Sequence, residues 1–140
     1  MLIRPIIVAW YSVFESHRVR VVVKHGDQFL FVKTSFSAQL LSFPGGGIER
    51  KESPLEAAVR ELREETGIVV SEQRFRHVGQ MHTAPPAIPF RITVFEVEVE
   101  TEDLPPLAWI RTLEIVDRQW IARDRLPLKN QVVAWYLAQG

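Results

Sequence analysis

The stretch from Ser53 to Gly67 constrains this chain more than any other, because both of its ends are written into the sequence. Ser53 has a side chain suited to capping a helix N-terminus. Pro54 carries the φ that a first helical position needs. Glu56 stands three residues after Ser53 and closes a capping box. Gly67 supplies a left-handed cap at the other end. The spacing predicts a helix over Pro54–Thr66. At ~100° per residue, Leu55, Ala58, Val59 and Leu62 share one arc, which is the expected buried face. Glu61, Glu64 and Glu65, spaced i, i+3 and i+4, share a neighbouring arc. Ala57 lies one turn before them, so nothing bulky crowds the row.

Such a helix needs another layer to bury its apolar arc. Val19–Lys24 and Phe29–Lys33 are β-rich runs separated by His25, Gly26, Asp27 and Gln28, the pattern of a hairpin. Leu40–Phe43 is a short apolar stretch that ends at Pro44 and the turn expected of Gly45, Gly46 and Gly47. Further strands are expected at Phe75–Gly79, Arg91–Val99 and Arg118–Ala122, with an exposed proline loop over Gly79–Pro89. In the second of these strands Thr93, Phe95, Val97 and Val99 form one face. Glu96 and Glu98, with Glu100 just beyond, are expected on the solvent side of an edge strand. A closing amphipathic helix is expected from about Leu128 to Ala138 on the spacing of Leu128, Val132, Trp135 and Tyr136. Strands alternating with two well-separated helices predict an α/β protein, a mixed sheet covered on both faces.

Length and composition bound the function. At 140 residues the chain is expected to form one domain. It has no cysteine, which excludes disulfides, thiolate metal sites and cysteine nucleophiles and fits a reducing compartment, the cytoplasm. Lys+Arg and Asp+Glu are both 17, and that balance argues against a nucleic-acid partner, because phosphate neutralisation normally demands a basic excess. The apolar run Ile6–Phe14 is shorter than the ~20 residues of a membrane span, and no small-residue cleavage site follows it. It is expected to pack on the domain or on a second copy, so residues 1–17 are the candidate dimerisation segment. The four histidines show no metal-ligand spacing.

Three carboxylates within about 6 Å of one another repel, and hard oxygen ligands of this kind select Mg²⁺, Mn²⁺ or Ca²⁺. The plain alternative is a solvated acidic face partnered by Arg60 and Arg63. The glycines preceding the helix favour the metal reading, because backbone without Cβ atoms can approach a ligand closely.

The arrangement is more specific than that. Gly46, five residues, Glu52, seven residues, then Arg60-Glu61-Leu62-Arg63-Glu64-Glu65-Thr66-Gly67-Ile68 resembles the complete Nudix box, with all seven fixed positions and both aliphatic positions matching. With each fixed residue at roughly 1 in 15, a chance match is on the order of 1 in 10⁸ per starting point. The resemblance implies an α/β/α sandwich with a mixed sheet, and a Mg²⁺-dependent enzyme (Mn²⁺ being the other candidate ion). The implied reaction is attack of water on one phosphate of a nucleoside diphosphate joined to another moiety. Carried onto this chain, Glu61, Glu64 and Glu65 resemble the metal-binding glutamates, and the Gly45 carbonyl resembles a backbone ligand. Arg60 resembles the arginine that orients the catalytic glutamate, and Glu52 the outer, supporting one. Glu61 and Glu64 are the candidate bases. Glu114, six residues before Trp120, resembles a downstream metal-binding glutamate of some members; the plain alternative is a loop residue. The implied substrate is a small nucleotide, a nucleoside triphosphate or a nucleotide sugar. RNA 5′ ends and a non-catalytic sensor role are the competing readings. The substrate-binding residues are not identified by the box.

Overall fold

The computed structural model describes residues 17–34, 41–105 and 115–140. The proposed N-terminal packing segment (apart from His17) and Glu114 lie outside these residues. Seven strands form one mixed sheet: β1 (His17–His25), β2 (Gln28–Thr34), β3 (Leu41–Ser42), β4 (Gly45–Gly47), β5 (Arg76–His82), β6 (Arg91–Glu98) and β7 (Ile115–Ala122). Helix α1 spans Pro54–Thr66 and helix α2 spans Gln131–Ala138.

The hairpin forms as expected, but β1 and β2 pair only beside the turn, at Lys24↔Phe29 and His25↔Gln28. Beyond that they part company. β1 takes β4 as an antiparallel partner, whereas β2 takes β3 and β7. On its other side β1 runs parallel to β6 from His17↔Arg91 to Lys24↔Glu98. β6 in turn pairs antiparallel with β5. The glycine run is therefore not a turn but a strand, held against Arg18–Arg20. A Cβ at Gly45 would stand 2.0 Å from the Val19 carbonyl oxygen, so this approach of two backbones needs glycine there.

Alternation along the central strands builds two cores. Val19, Val21, Val23, Leu30, Phe95 and Val97 face α1, and Val22, Phe29, Phe31, Ile92 and Val94 face α2. The α/β/α sandwich expected from the sequence is the observed architecture. β6 is an interior strand rather than an edge strand, with Ile92, Thr93, Val94 and Phe95 all buried. Glu96 accordingly does not simply face water. It accepts from Arg76 Nη2 at 3.0 Å and from the Tyr136 hydroxyl. β5 continues to His82, so the proline loop is shorter than expected and begins at Thr83.

Helix α1 has the predicted bounds. The Ser53 side chain accepts from the Glu56 amide at 3.1 Å, and the Glu56 carboxylate accepts from the Ser53 amide at 2.9 Å. Gly67 takes the left-handed conformation with φ 76° and donates to the Arg63 carbonyl. Replacing Ser53 with Ala is expected to cost about 1 kcal/mol, read as a lower urea midpoint at unchanged slope. The deepest residues of this helix are Ala57, Ala58, Leu62 and Thr66, whereas Leu55 and Val59 are only half-buried, so the buried arc sits nearer the glutamates than predicted. Helix α2 starts later than expected, because the Asn130 side chain accepts from the Val132 and Val133 amides and caps it there. Leu128 falls outside the helix and is 68% exposed rather than part of an apolar face. No helix among the described residues is long and apolar enough to cross a membrane.

Candidate active site

The rotation of α1 divides the glutamate row. Glu61 and Glu65 are one turn apart and follow Ala57, which is fully buried, so their stripe faces the glycine strand β4. Glu64 lies on the other side of Glu61. Its side chain is 50% exposed, against 14% for Glu61. The three glutamates thus share a neighbourhood but not one surface. As they stand, no three acidic or histidine side chains among the described residues converge closely enough to hold an ion.

β4 receives the inner pair. The Gly45 amide donates to Glu65 Oε2 at 3.0 Å. A Cβ at Gly46 would lie 2.5 Å from Glu61 Oε1, so the bare backbone there is what admits the Glu61 carboxylate. Burial pushes the Glu65 carboxyl up to about 8. The Gly45 amide and Arg20 oppose that shift, and Glu61 adds to it. Two inward-facing carboxylates, one of them holding its proton into the neutral range, form an all-oxygen donor pair whose mutual repulsion Arg60 and Arg20 offset only in part. That chemistry fits a hard divalent cation.

Arg60 ties the acids together. Its Nε donates to Glu52 Oε2 at 2.7 Å and its Nη2 to Glu52 Oε1 at 2.8 Å, a two-pronged contact. Nη2 also donates to the Gly47 carbonyl at 3.0 Å, joining the helix to β4. Nη1 donates to Glu61 at 3.1 Å and to Glu64 at 3.2 Å. The hydrogen bond from Arg60, outweighing burial, draws Glu52 down to about 2, and the same bond to Glu52 is the main reason Arg60 is held more firmly protonated than usual. Glu52 is therefore engaged chiefly with the guanidinium.

The structure brings Gly45, Gly46, Glu52, Arg60, Glu61, Glu64 and Glu65 into one locality. It also adds residues that the sequence reading passed over. Arg18 and Arg20 project from β1 opposite Gly47 and Gly45. Burial lowers the pKa of Arg20, while Glu65 and Glu61 raise it. The signal was present as charges at alternate positions of an otherwise apolar strand. Two cavities open elsewhere. One, of about 430 Å³, is bordered by Leu41, Trp120, Arg125 and Pro127; the other, of about 310 Å³, by Lys24, Arg76, Glu96 and Tyr136. Neither includes Glu61, Glu64 or Glu65.

Comparison with known proteins places this geometry. The profile of the NUDIX domain matches residues 15–138. Phosphatase NudJ of Escherichia coli (strain K12) is 32% identical over 133 residues, which cover 88% of this chain and 84% of that protein. A MutT NUDIX hydrolase from Burkholderia pseudomallei superposes with a TM-score of 0.73 at 18% identity, over 89% of this chain and 96% of the other. A NUDIX hydrolase from Nitrosomonas europaea does so with a TM-score of 0.68 at 24% identity, over 89% and 86% of the two chains. The chain belongs to the Nudix hydrolase family. As such it is a hydrolase of phosphoric anhydride bonds, and hydrolases of this family generally work with divalent metal ions.

Proposed function

We propose that this chain is a Mg²⁺-dependent pyrophosphohydrolase, a single Nudix domain that cleaves a nucleoside diphosphate linked to another moiety. The substrate class is nucleoside triphosphates or nucleotide sugars. The observation that carries the reading is the inward pair Glu61 and Glu65, packed on bare glycine backbone, with Glu61 bonded by Arg60 and Glu65 by the Gly45 amide. Glu61, Glu64, Glu65 and the Gly45 carbonyl are the groups that would hold the ion, with Glu114 as a further candidate. When bound, such an ion neutralises phosphate oxygens and makes a water more acidic. The protein's own part is positional. Arg60 holds Glu61 and Glu64 in place, leaving Glu64, the more open of the two, able to take a proton from water beside the substrate.

A panel of ATP, ADP-ribose, UDP-glucose and a 5′-triphosphorylated RNA oligonucleotide, assayed for phosphate products, tests this. At least one small nucleotide is expected to be cleaved with Mg²⁺ present. EDTA is expected to stop the reaction and added Mg²⁺ to restore it. Cleavage of the RNA alone, or turnover indifferent to EDTA, overturns the reading.

A further inference from the structure

One buried side-chain polar atom among the described residues has no partner, and it belongs to the strand that borders this site. Arg18 Nε is shut off from water without a hydrogen-bond acceptor. Its guanidinium carbon stands 4.2 Å from the centre of the Phe90 ring. Burying an N–H unpaired costs stability, so an arrangement that does so needs a reason. The guanidinium lies over an aromatic face, and among the described residues it enters no ion pair.

The surroundings supply the reason. Arg18 is opposite Gly47, whose carbonyl holds Arg60, so its backbone borders the site directly. Arg20, two residues on and on the same side of the strand, senses Glu65 and Glu61 as well as Arg18. Arg20 thus feels the α1 carboxylates beside the glycine strand, and Arg18 is its neighbour on the same face of β1. Phe90 is itself held fast. Its amide donates to the Thr83 hydroxyl at 2.7 Å, and the Ala84 end of the proline loop is clasped by Gln131 through bonds of 2.8 and 2.7 Å. The shelf under Arg18 is therefore built in, not an incidental contact of a loose loop.

We propose that Arg18 is a specificity residue of this site, binding a phosphate of the substrate opposite the glutamate row, with Phe90 fixing the plane of its guanidinium. The assignment rests on the pyrophosphohydrolase reading above. Guanidinium is the side chain suited to phosphate oxygens, because its planar fork offers paired donors. Seated over Phe90 with its Nε buried, it would offer Nη1 and Nη2 to an anion.

The test measures binding of α,β-methylene-ADP, which lacks a cleavable anhydride, with Mg²⁺ by calorimetry, alongside steady-state kinetics on whichever panel nucleotide is cleaved. Arg18→Met is expected to weaken binding about ten-fold or more, the range of a lost charge-assisted contact. It is expected to raise KM similarly while kcat stays within about three-fold. Arg18→Lys restores part of the loss, and Phe90→Leu weakens binding about three-fold. Unchanged binding and KM in Arg18→Met, a loss confined to kcat, or no binding of the probe to the wild-type protein each overturns the assignment. A melting temperature lowered by Arg18→Met with binding intact also overturns it, since that is the mark of a structural arginine. Arg18-dependent binding without cleavage of any panel substrate would instead sink the proposed reaction and leave the anion site standing.

Discussion

Glu64→Gln is expected to lower kcat by at least ~10²-fold while leaving the fold intact. The reason lies in how Glu64 is held. Its side chain is half exposed, and its one ion-pair partner among the described residues is Arg60, through a single 3.2 Å contact between residues four apart on the helix. Such pairs contribute only about 0.3–0.5 kcal/mol. Without the charge, Arg60 keeps both bonds to Glu52, its bond to Glu61 and its bond to the Gly47 carbonyl. A glutamine preserves shape and removes only the basic, anionic oxygen. Stability is thus expected to change by less than about 0.5 kcal/mol, and the effect on turnover separates cleanly from folding. Glu61→Gln gives a less clean comparison, because Glu61 is mostly buried and carries part of the Arg60 network. The measurement is kcat for the cleaved nucleotide at saturating Mg²⁺ together with the melting temperature. Turnover near the wild-type rate would remove Glu64 from the mechanism.

What could be seen in the sequence follows from how local each feature is. The bounds of α1 were legible because its caps join residues three and four apart, Ser53 to Glu56 and Gly67 to Arg63. The family motif was legible for a related reason, since the residues from Gly46 to Ile68 that carry it are contiguous. The identity of β4 was hidden, because what makes Gly45–Gly47 a strand is its pairing with Arg18–Arg20, far earlier in the chain. The same holds for β6. Its glutamates mimic a solvent face, yet Glu96 is satisfied by Arg76 on β5 and by Tyr136 on α2, partners that only the tertiary structure brings near. The glutamate row was legible as a row. Its division into an inward pair and an outward Glu64 depends on the Gly45 amide and the space at Gly46. Arg18 and Arg20 were visible as letters, but nothing in their own neighbourhood says that β1 runs beside the glycine strand or that Arg20 feels Glu65 and Glu61.

Gly45→Ala is expected to cost about 3 kcal/mol of stability, with a fall in melting temperature on the order of 10 °C. The added methyl would lie 2.0 Å from the Val19 carbonyl oxygen and 2.9 Å from the Arg20 Cα, both backbone atoms of a strand that β6 holds in register on its other side. Nothing there can swing aside. The backbone at Gly45, with φ 155°, is also one that side-chain-bearing residues rarely adopt. Relief therefore requires β4 to leave β1, which breaks the register from Arg18↔Gly47 to Arg20↔Gly45 and withdraws the amide from Glu65. The neighbouring glycines make internal controls. A Cβ at Gly47 meets nothing within 4 Å, so Gly47→Ala is expected to shift stability by less than about 0.5 kcal/mol. The nearest atoms to a Cβ at Gly46 belong to the Glu61 carboxylate, the movable end of a side chain, so Gly46→Ala should fold but displace that oxygen and depress turnover. A simple turn would respond to the three substitutions according to its backbone angles alone. Graded urea denaturation of the three variants decides between the two: equal stability of Gly45→Ala and Gly47→Ala would mean that the glycines are not pressed against β1, and that Glu61 and Glu65 are not seated on them.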